Sequence, residues 1–306
     1  MDRYNKLSNY LRNKFGERTL KICIDGGFTC PNRDGTKGLG GCSFCSERGS
    51  GEHLNSYQNI SLQVQNYFKS YKADRANKFI VYFQNFTNTY DSIENLKQKN
   101  DSALIDERIV GIAIATRPDC INENIVKLIK SYSNRYYVWV ELGLQTANEE
   151  TGLAINRCYS NYDFTNAVNL LNKYEIDVVA HIMIGLPNET LIDLQNTVSF
   201  IDHHNIQGFK IHSCYVVKGS KLATQYLNGS YLPLTLEEYI SSACYVLTCI
   251  KPNIIIHRVS GDAPKDLLLA PEWNLHKKWI INGINKKLED ENMYQGMNNT
   301  NNIIIQ

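Results

Sequence analysis

Two stretches of the chain, IVGIAIAT at 109–116 and VVAHIMIGL at 178–186, carry apolar residues at nearly every position. A strand with one wet face alternates apolar and polar residues. Near-continuous apolarity instead marks strands covered on both faces, as in a parallel sheet wrapped by helices. Further strand-like segments, rich in β-branched and aromatic residues, lie at 19–26, 78–84, 137–144 and 208–217. Helix-like stretches fall between and after them, at 62–71, 92–99, 123–131, 164–173, 190–203 and 236–250, with Asn188 or Thr190 and Thr235 as N-cap candidates. Six βα units in succession predict an α/β fold, a partial (β/α)6 TIM-like barrel, because a closed barrel of this kind needs eight. The expected organisation is a basic N-terminal segment at 1–18, the barrel at 19–250, and a C-terminal extension and tail at 251–306. In the extension the pattern changes to IIIHRVSGDAP and then to an aromatic, basic helix-like segment at 271–288; from Glu289 the polar tail is expected to be poorly ordered.

Charge sits at the two ends. Residues 1–21 hold Arg3, Lys6, Arg12, Lys14, Arg18 and Lys21 against Asp2 and Glu17. Residues 251–288 carry seven basic residues against Asp262, Asp266 and Glu272. Such patches suit a phosphate backbone, and Tyr4, Tyr10, Trp273 and Trp279 nearby suit base stacking; a solvated helix face accounts for the charge as well. The first fifteen residues are polar and basic without an apolar signal core, and no run is long enough to span a bilayer, so a cytoplasmic protein without a membrane partner is expected.

Nine cysteines, an odd number and mostly scattered, do not form a disulfide framework. Only Cys30, Cys42 and Cys45 form a group, on a glycine-rich stretch that follows the first strand. Three thiolates suit zinc, with His53 as the nearby fourth ligand, or an iron–sulfur cluster with one iron left open, and spacing alone leaves both readings standing. In a parallel barrel, chemistry collects where strands end. Here the strand ends read FTCPNRDGTKGLGGCSFC, QNFTNTY, TRPD, ELGLQT, HIMIGLP and KIHSCY, six polar or glycine-bearing turns that would share one rim.

The run Cys42-Ser43-Phe44-Cys45 resembles the C-x-aromatic-C end of the radical S-adenosylmethionine (SAM) cluster motif, and the wide gap before it resembles the Elp3-like branch. CPNRDGTKGLGGCSFC together with ELGLQT and HRVSGDAP is similar to the YtqA/YhcC-type radical-SAM proteins over nearly the whole chain, and in function to the MnmL-type enzymes that modify tRNA wobble uridine. The resemblance implies a [4Fe-4S] cluster on Cys30, Cys42 and Cys45, with SAM on the open iron. An electron from a flavodoxin- or ferredoxin-type donor would cleave SAM, and the resulting 5′-deoxyadenosyl radical would abstract hydrogen. The implied substrate is tRNA, with conversion of the carboxymethylaminomethyl group to aminomethyl.

The same resemblance places Glu141 and Gln145 at the SAM ribose and Gly185, with Pro187, against adenine. Arg157 is open between a fork on the SAM carboxylate and a surface salt bridge, with Thr116 and Arg117 on the adenosine or substrate side. His181 inside the fifth strand is read as a satisfied core histidine ahead of a lumen-facing one, and His212 and Tyr215, similarly placed on the sixth, as candidate substrate contacts. One departure concerns the turn after the second strand, where many members carry a Gly-Gly-Glu-like motif for the SAM amino group. Here Gln84, Asn85 and Thr87 offer neutral acceptors only. The competing readings are a radical-SAM enzyme acting on a small metabolite, a zinc-stabilised nucleic-acid-binding protein and an iron–sulfur electron carrier.

Overall fold

The computed structural model describes residues 2–49, 54 and 58–299. Helix α1 (Leu7–Phe15) leads into strand β1 (Thr19–Ile24), α2 (Ile60–Phe68), β2 (Lys78–Phe83), α3 (Ile93–Ala103), β3 (Ile109–Thr116) and α4 (Glu123–Tyr132). Strand β4 (Tyr137–Gln145) is followed by α5 (Glu149–Ala154) and α6 (Asn161–Lys173), β5 (Asp177–Ile184) by α7 (Leu191–Asp202), and β6 (Gly208–Ser213) by the short β7 (Val216–Val217). The chain closes with α8 (Lys221–Leu227), α9 (Leu236–Cys249), β8 (Ile255–Arg258), β9 (Leu268–Ala270) and α10 (Lys277–Asp290).

Seven strands form one parallel sheet in the order β1-β2-β3-β4-β5-β6-β8, curled into a partial barrel. Successive strands are neighbours, as short right-handed crossovers require. The apolar runs resolve into two faces. Val81, Phe83, Ile112, Ile114, Val140, Leu142, Ala180, Ile182 and Ile211 pack outward under the helices, while Ile80, Tyr82, Ala113, Trp139 and Val179 fill the lumen. Sheet-period alternation was therefore present, but hidden because both faces are dry. Helix starts follow the expected chemistry: Thr190 and Thr235 make capping boxes with Asp193 and Glu238, whereas Asn188 takes a left-handed φ of 63° in the preceding turn.

The two ends of the chain depart from expectation. The basic N-terminal segment contains α1, whose Leu7 and Leu11 plug the lumen where the strands begin. The segment IIIHR, read as the start of an extension, supplies the seventh barrel strand, with Lys210 opposite Arg258. A four-residue strand, Ile255–Arg258, is too short to show a period by itself. The polar stretch after Glu289 is held in place as far as Asn299: Gln295 donates to the Lys251 and Ile254 carbonyls at 2.7 and 2.8 Å, and Asn299 to the Cys249 carbonyl at 2.6 Å. Residues 300–306 lie outside the described residues. Among the described residues, no helix is long and apolar enough to cross a membrane.

Candidate active site at the barrel rim

The loop after β1 is stitched down before it reaches its cysteines. Asn32, fully buried, donates through Nδ2 to the Asn156 carbonyl at 2.6 Å, and Asn156, at φ 55°, returns a bond to the Gly41 carbonyl at 2.8 Å. Ser43 N–H donates to the Ile155 carbonyl and Leu222 N–H to the Ser43 carbonyl, each at 2.8 Å. The loop is thus hung between the β4–α6 connection and α8. Gly38 needs its missing side chain: a Cβ there would stand 2.2 Å from Asn32 Oδ1 and 2.9 Å from Cys158 Sγ.

Cys30, Cys42 and Cys45 line one cavity of about 220 Å³ together with Thr87, Thr116, Glu141, Gln145, His181 and His212. Asn32 Nδ2 also approaches the Cys42 sulfur at 3.6 Å. Burial pushes the Cys42 thiol up to about 12, with the neighbouring Cys45 and Cys30 adding to it and Arg117 and Asn32 opposing. A thiolate at that position therefore needs a metal's positive charge beside it. Among the described residues, no three His, Cys, Asp or Glu side chains stand close enough to share a single ion, and His53, the fourth ligand a zinc site would use, lies outside the described residues. Each cysteine of a [4Fe-4S] cluster ligates its own iron, so its three sulfurs need only face one space. Three thiols on one wall, tight glycine turns and an amide aimed at a sulfur fit that cluster.

Below the cysteines, the inward positions of β4, β5, β6 and β8 build a polar floor. Glu141, fully buried, accepts from Trp139 Nε1 at 2.9 Å through Oε1, while Oε2 meets Lys210 and lies 3.0 Å from His181 Nε2. Lys210 Nζ also donates to the Tyr82 hydroxyl at 3.0 Å. Burial works against the Glu141 charge, but Lys210, Lys21 and His181 outweigh it and hold the carboxyl well below its usual range. Burial lowers Lys210 to about 7 against the pull of Glu141, and lowers His181 to about 4, Lys210 adding to the effect. His212 and His257 are driven well below the ordinary imidazole range, first by burial.

The expected site residues divide into two groups. Thr87, Thr116, Arg117, Glu141, Gln145, His181, His212 and Tyr215 join the cysteines on the cavity wall. Arg117 is clamped by Asp119 at 2.8–2.9 Å and by two backbone carbonyls. Gln145, at φ 64°, folds back over Gly143 and accepts from the Tyr159 hydroxyl at 2.6 Å. Asn85, Arg157 and Gly185 are outside the lining. Asn85 is buried beneath it and donates to Asp25 at 2.6 Å. Gly185, at φ 88°, packs on Leu234, and its carbonyl accepts from the Tyr231 hydroxyl.

Arg157 does not present its guanidinium to the cavity. Its donors are occupied by the Tyr159, Leu144 and Thr146 carbonyls, Glu149 and Asn161. Lys210, Tyr82, Arg258 and Arg33 also line the cavity and were missed. Lys210 and His212 two residues on, in GFKIHS, were the visible signal: polar residues at strand period within an apolar run.

The family model described as "Radical SAM superfamily" matches residues 30–201, and that of the "Radical_SAM C-terminal domain" matches 206–290. The chain is 40% identical to "Uncharacterized protein YtqA" of Bacillus subtilis over 96% of its own length and 92% of the relative's. It is 32% identical to "Protein YhcC" of Escherichia coli over 88% and 87%. A "tRNA uridine(34) acetyltransferase" of Methanocaldococcus jannaschii is 26% identical, over 67% of this chain and 36% of that protein. Among solved structures, Methanocaldococcus infernus Elp3 superposes with a TM-score of 0.68 at 17% identity, covering 90% of this chain and 64% of that one, which is a likeness of fold.

Proposed function

This chain belongs to the radical SAM superfamily, and on that premise we propose that it modifies the wobble uridine of tRNA, converting carboxymethylaminomethyl to aminomethyl. The observation that carries the radical-SAM part is the convergence of Cys30, Cys42 and Cys45 with the ends of the barrel strands on one cavity. When bound, the family's [4Fe-4S] cluster and SAM supply one-electron cleavage of the sulfonium bond and hydrogen-atom abstraction from an unactivated C–H bond.

The protein's own residues do the rest. The three cysteines hold the cluster, and the Asn32 amide steadies the Cys42 sulfur. Thr87 and Gln84 line the cavity with the cysteines, and their oxygens would accept from the SAM ammonium. Gln145 and Thr116 line the cavity and would contact the adenosine. Glu141, engaged by Lys210, His181 and Trp139, sets the shape and charge of the cavity floor, over which the ribose would lie. Arg33 lines the cavity beside the cysteine loop, bonded to the Ser46 carbonyl and set over the Phe86 ring, and would serve the SAM carboxylate where Arg157, outside the lining, does not.

The tRNA part is supported by the relative named for uridine(34) chemistry and by the basic α1 and α10, with Trp279 exposed on the latter. A base must leave its stack to reach so enclosed a site, as enzymes acting on bases require. The electron comes from a flavodoxin- or ferredoxin-type donor, in the cytoplasm. Anaerobic reconstitution tests the chemistry: about four irons and sulfides per chain and dithionite-dependent release of 5′-deoxyadenosine are expected. Stoichiometric zinc without SAM cleavage would overturn it. For the substrate, a deletion strain should accumulate the carboxymethylaminomethyl nucleoside; an unchanged nucleoside profile removes tRNA and leaves a small metabolite.

A further inference from the structure

The charges around the barrel floor do not cancel. Lys21, Lys210 and Arg258 surround it. Lys210 has Glu141, and among the described residues lining the cavity the carboxylates are Glu141 and Asp262. Arg258 has one oxygen of Asp262 at 2.8 Å, and Lys277 takes the other at 2.8 Å. Lys21 rests over the Tyr82 ring at 4.7 Å, and among the described residues no carboxylate pairs with it. The strand register sharpens the imbalance by setting Lys210 directly opposite Arg258 on adjacent strands, an arrangement of like charges that costs free energy.

Hydrogen-bond donors are left over at the same place. The Lys210 ammonium has three N–H groups and, among the described residues, engages two, on Glu141 and Tyr82. Among the described residues, Arg258 has a side-chain hydrogen bond to Asp262, which engages one of its five donors. His212, two residues beyond Lys210 on the same face of β6, buries Nε2 with no partner. Buried polar atoms are normally satisfied, so one left bare on a cavity wall marks where a ligand atom belongs. All three side chains line the cavity.

We propose that Lys210, Arg258 and His212 form an anion subsite that receives a carboxylate group of the substrate. The uncompensated charge suits one negative charge; a phosphate dianion would meet the ionised Glu141 next door. A planar carboxylate also matches the guanidinium fork. Which carboxylate enters rests on the wobble-uridine reading, where it is the carboxymethyl group of the modified base; the charge of the subsite does not.

The experiment has two arms on the cluster-loaded full chain, kept anaerobic. Ligand-observed NMR follows 13C-labelled acetate, with acetamide as the neutral isostere. Acetate should bind saturably and acetamide should not, and Arg258→Gln should weaken acetate binding about tenfold or more. His212→Asn, which leaves the Asp262 pair untouched, should weaken it in the same direction and serves if Arg258→Gln does not fold. Equal behaviour of acetate and acetamide, or unchanged binding in both variants, overturns the subsite. The second arm compares an anticodon stem-loop bearing the carboxymethylaminomethyl nucleoside with its methyl ester. Preference for the acid over the ester, lost in Arg258→Gln, supports both claims. Acetate binding without any preference for the acid stem-loop upholds the subsite and sinks the wobble-uridine reading. A preference that survives both variants does the reverse.

Discussion

The Lys210 ammonium meets the Glu141 carboxylate inside the barrel, reaching across from β6 to β4 with β5 between them. Both are shielded from solvent, so each is the other's main source of compensation. Lys210→Met leaves a buried, unpaired carboxylate and should cost about 3–5 kcal/mol in urea denaturation of the metal-free chain. The double variant Glu141→Gln, Lys210→Met removes both charges and should recover most of that loss. Equal stability of the single and double variants would show that the pair is not coupled.

His181 lies between those two strands and is held neutral, down at about 4, chiefly by burial and next by Lys210. A histidine lowered from its ordinary value near ~6.5 binds fewer protons folded than unfolded. Its contribution is fully present above ~6.5 and drains away as pH falls toward its folded value. His212 and His257 are shifted the same way, and Glu141 adds a loss further into acid, below the usual carboxylate range. Lys210, lowered to about 7, gives up its share as pH falls from the ordinary lysine range toward 7, so below that the melting temperature of the metal-free chain should keep falling as pH drops through ~6.5, and His181→Asn should flatten this lower part of the slope. A flat profile down to pH ~5 would contradict the assignment of neutral imidazoles.

Each of Cys30, Cys42 and Cys45 faces the cavity and none belongs to the apolar core clusters, whereas Cys244 does. Cys30→Ala, Cys42→Ala and Cys45→Ala should each abolish iron retention while moving the stability of the metal-free chain by less than about 1 kcal/mol. Cys244→Ala should do the opposite. Iron and sulfide assays set beside denaturation curves separate the two classes.

Much of this site could be read from the sequence, because strand ends and turn chemistry are local signals. Ile109–Thr116 has the boundaries its apolar run suggested, and the cysteine loop follows β1 as its glycines imply. Long-range partnership was not legible. Nothing local tells that IIHR pairs with β6, or that Leu7 and Leu11 would plug a lumen whose strands start far away in sequence. Lys210 showed as a polar residue at strand period, but its role did not: a lysine inside an apolar strand is intelligible only once Glu141 reaches it across the lumen.

Arg157 illustrates the ambiguity of a single arginine after a strand end. Its guanidinium ties the turn after β4 to the start of α6, with Glu149 at 2.8 Å and three carbonyls within 2.9 Å. Arg157→Met should destabilise the chain by about 3–5 kcal/mol, since buried acceptors lose a charged donor. At temperatures where the variant is folded, SAM affinity by equilibrium dialysis should be nearly unchanged. A large loss of SAM binding with little loss of stability would restore the carboxylate role to this residue.

Asn32 is the point where loop architecture and cluster chemistry meet. Its Nδ2 serves the Asn156 carbonyl and leans on the Cys42 sulfur, while Oδ1 occupies the space beside Gly38 where a side chain would go. Asn32→Ala removes a buried hydrogen bond worth about 1–3 kcal/mol, because the Asn156 carbonyl is left dry. It also removes an N–H···S contact, and such contacts help set cluster potentials. Two readouts should move together: a lower yield of iron on reconstitution, and a cluster that is harder to reduce in an EPR-monitored titration. Gly38→Ala approaches the same loop from outside, forcing Asn32 off the Asn156 carbonyl while leaving the amide in the chain. It should lower iron yield comparably, and the potential should shift only as far as Asn32 is displaced from Cys42. If Asn32→Ala reconstitutes fully and titrates as the wild type does, the amide neither anchors the loop nor tunes the sulfur.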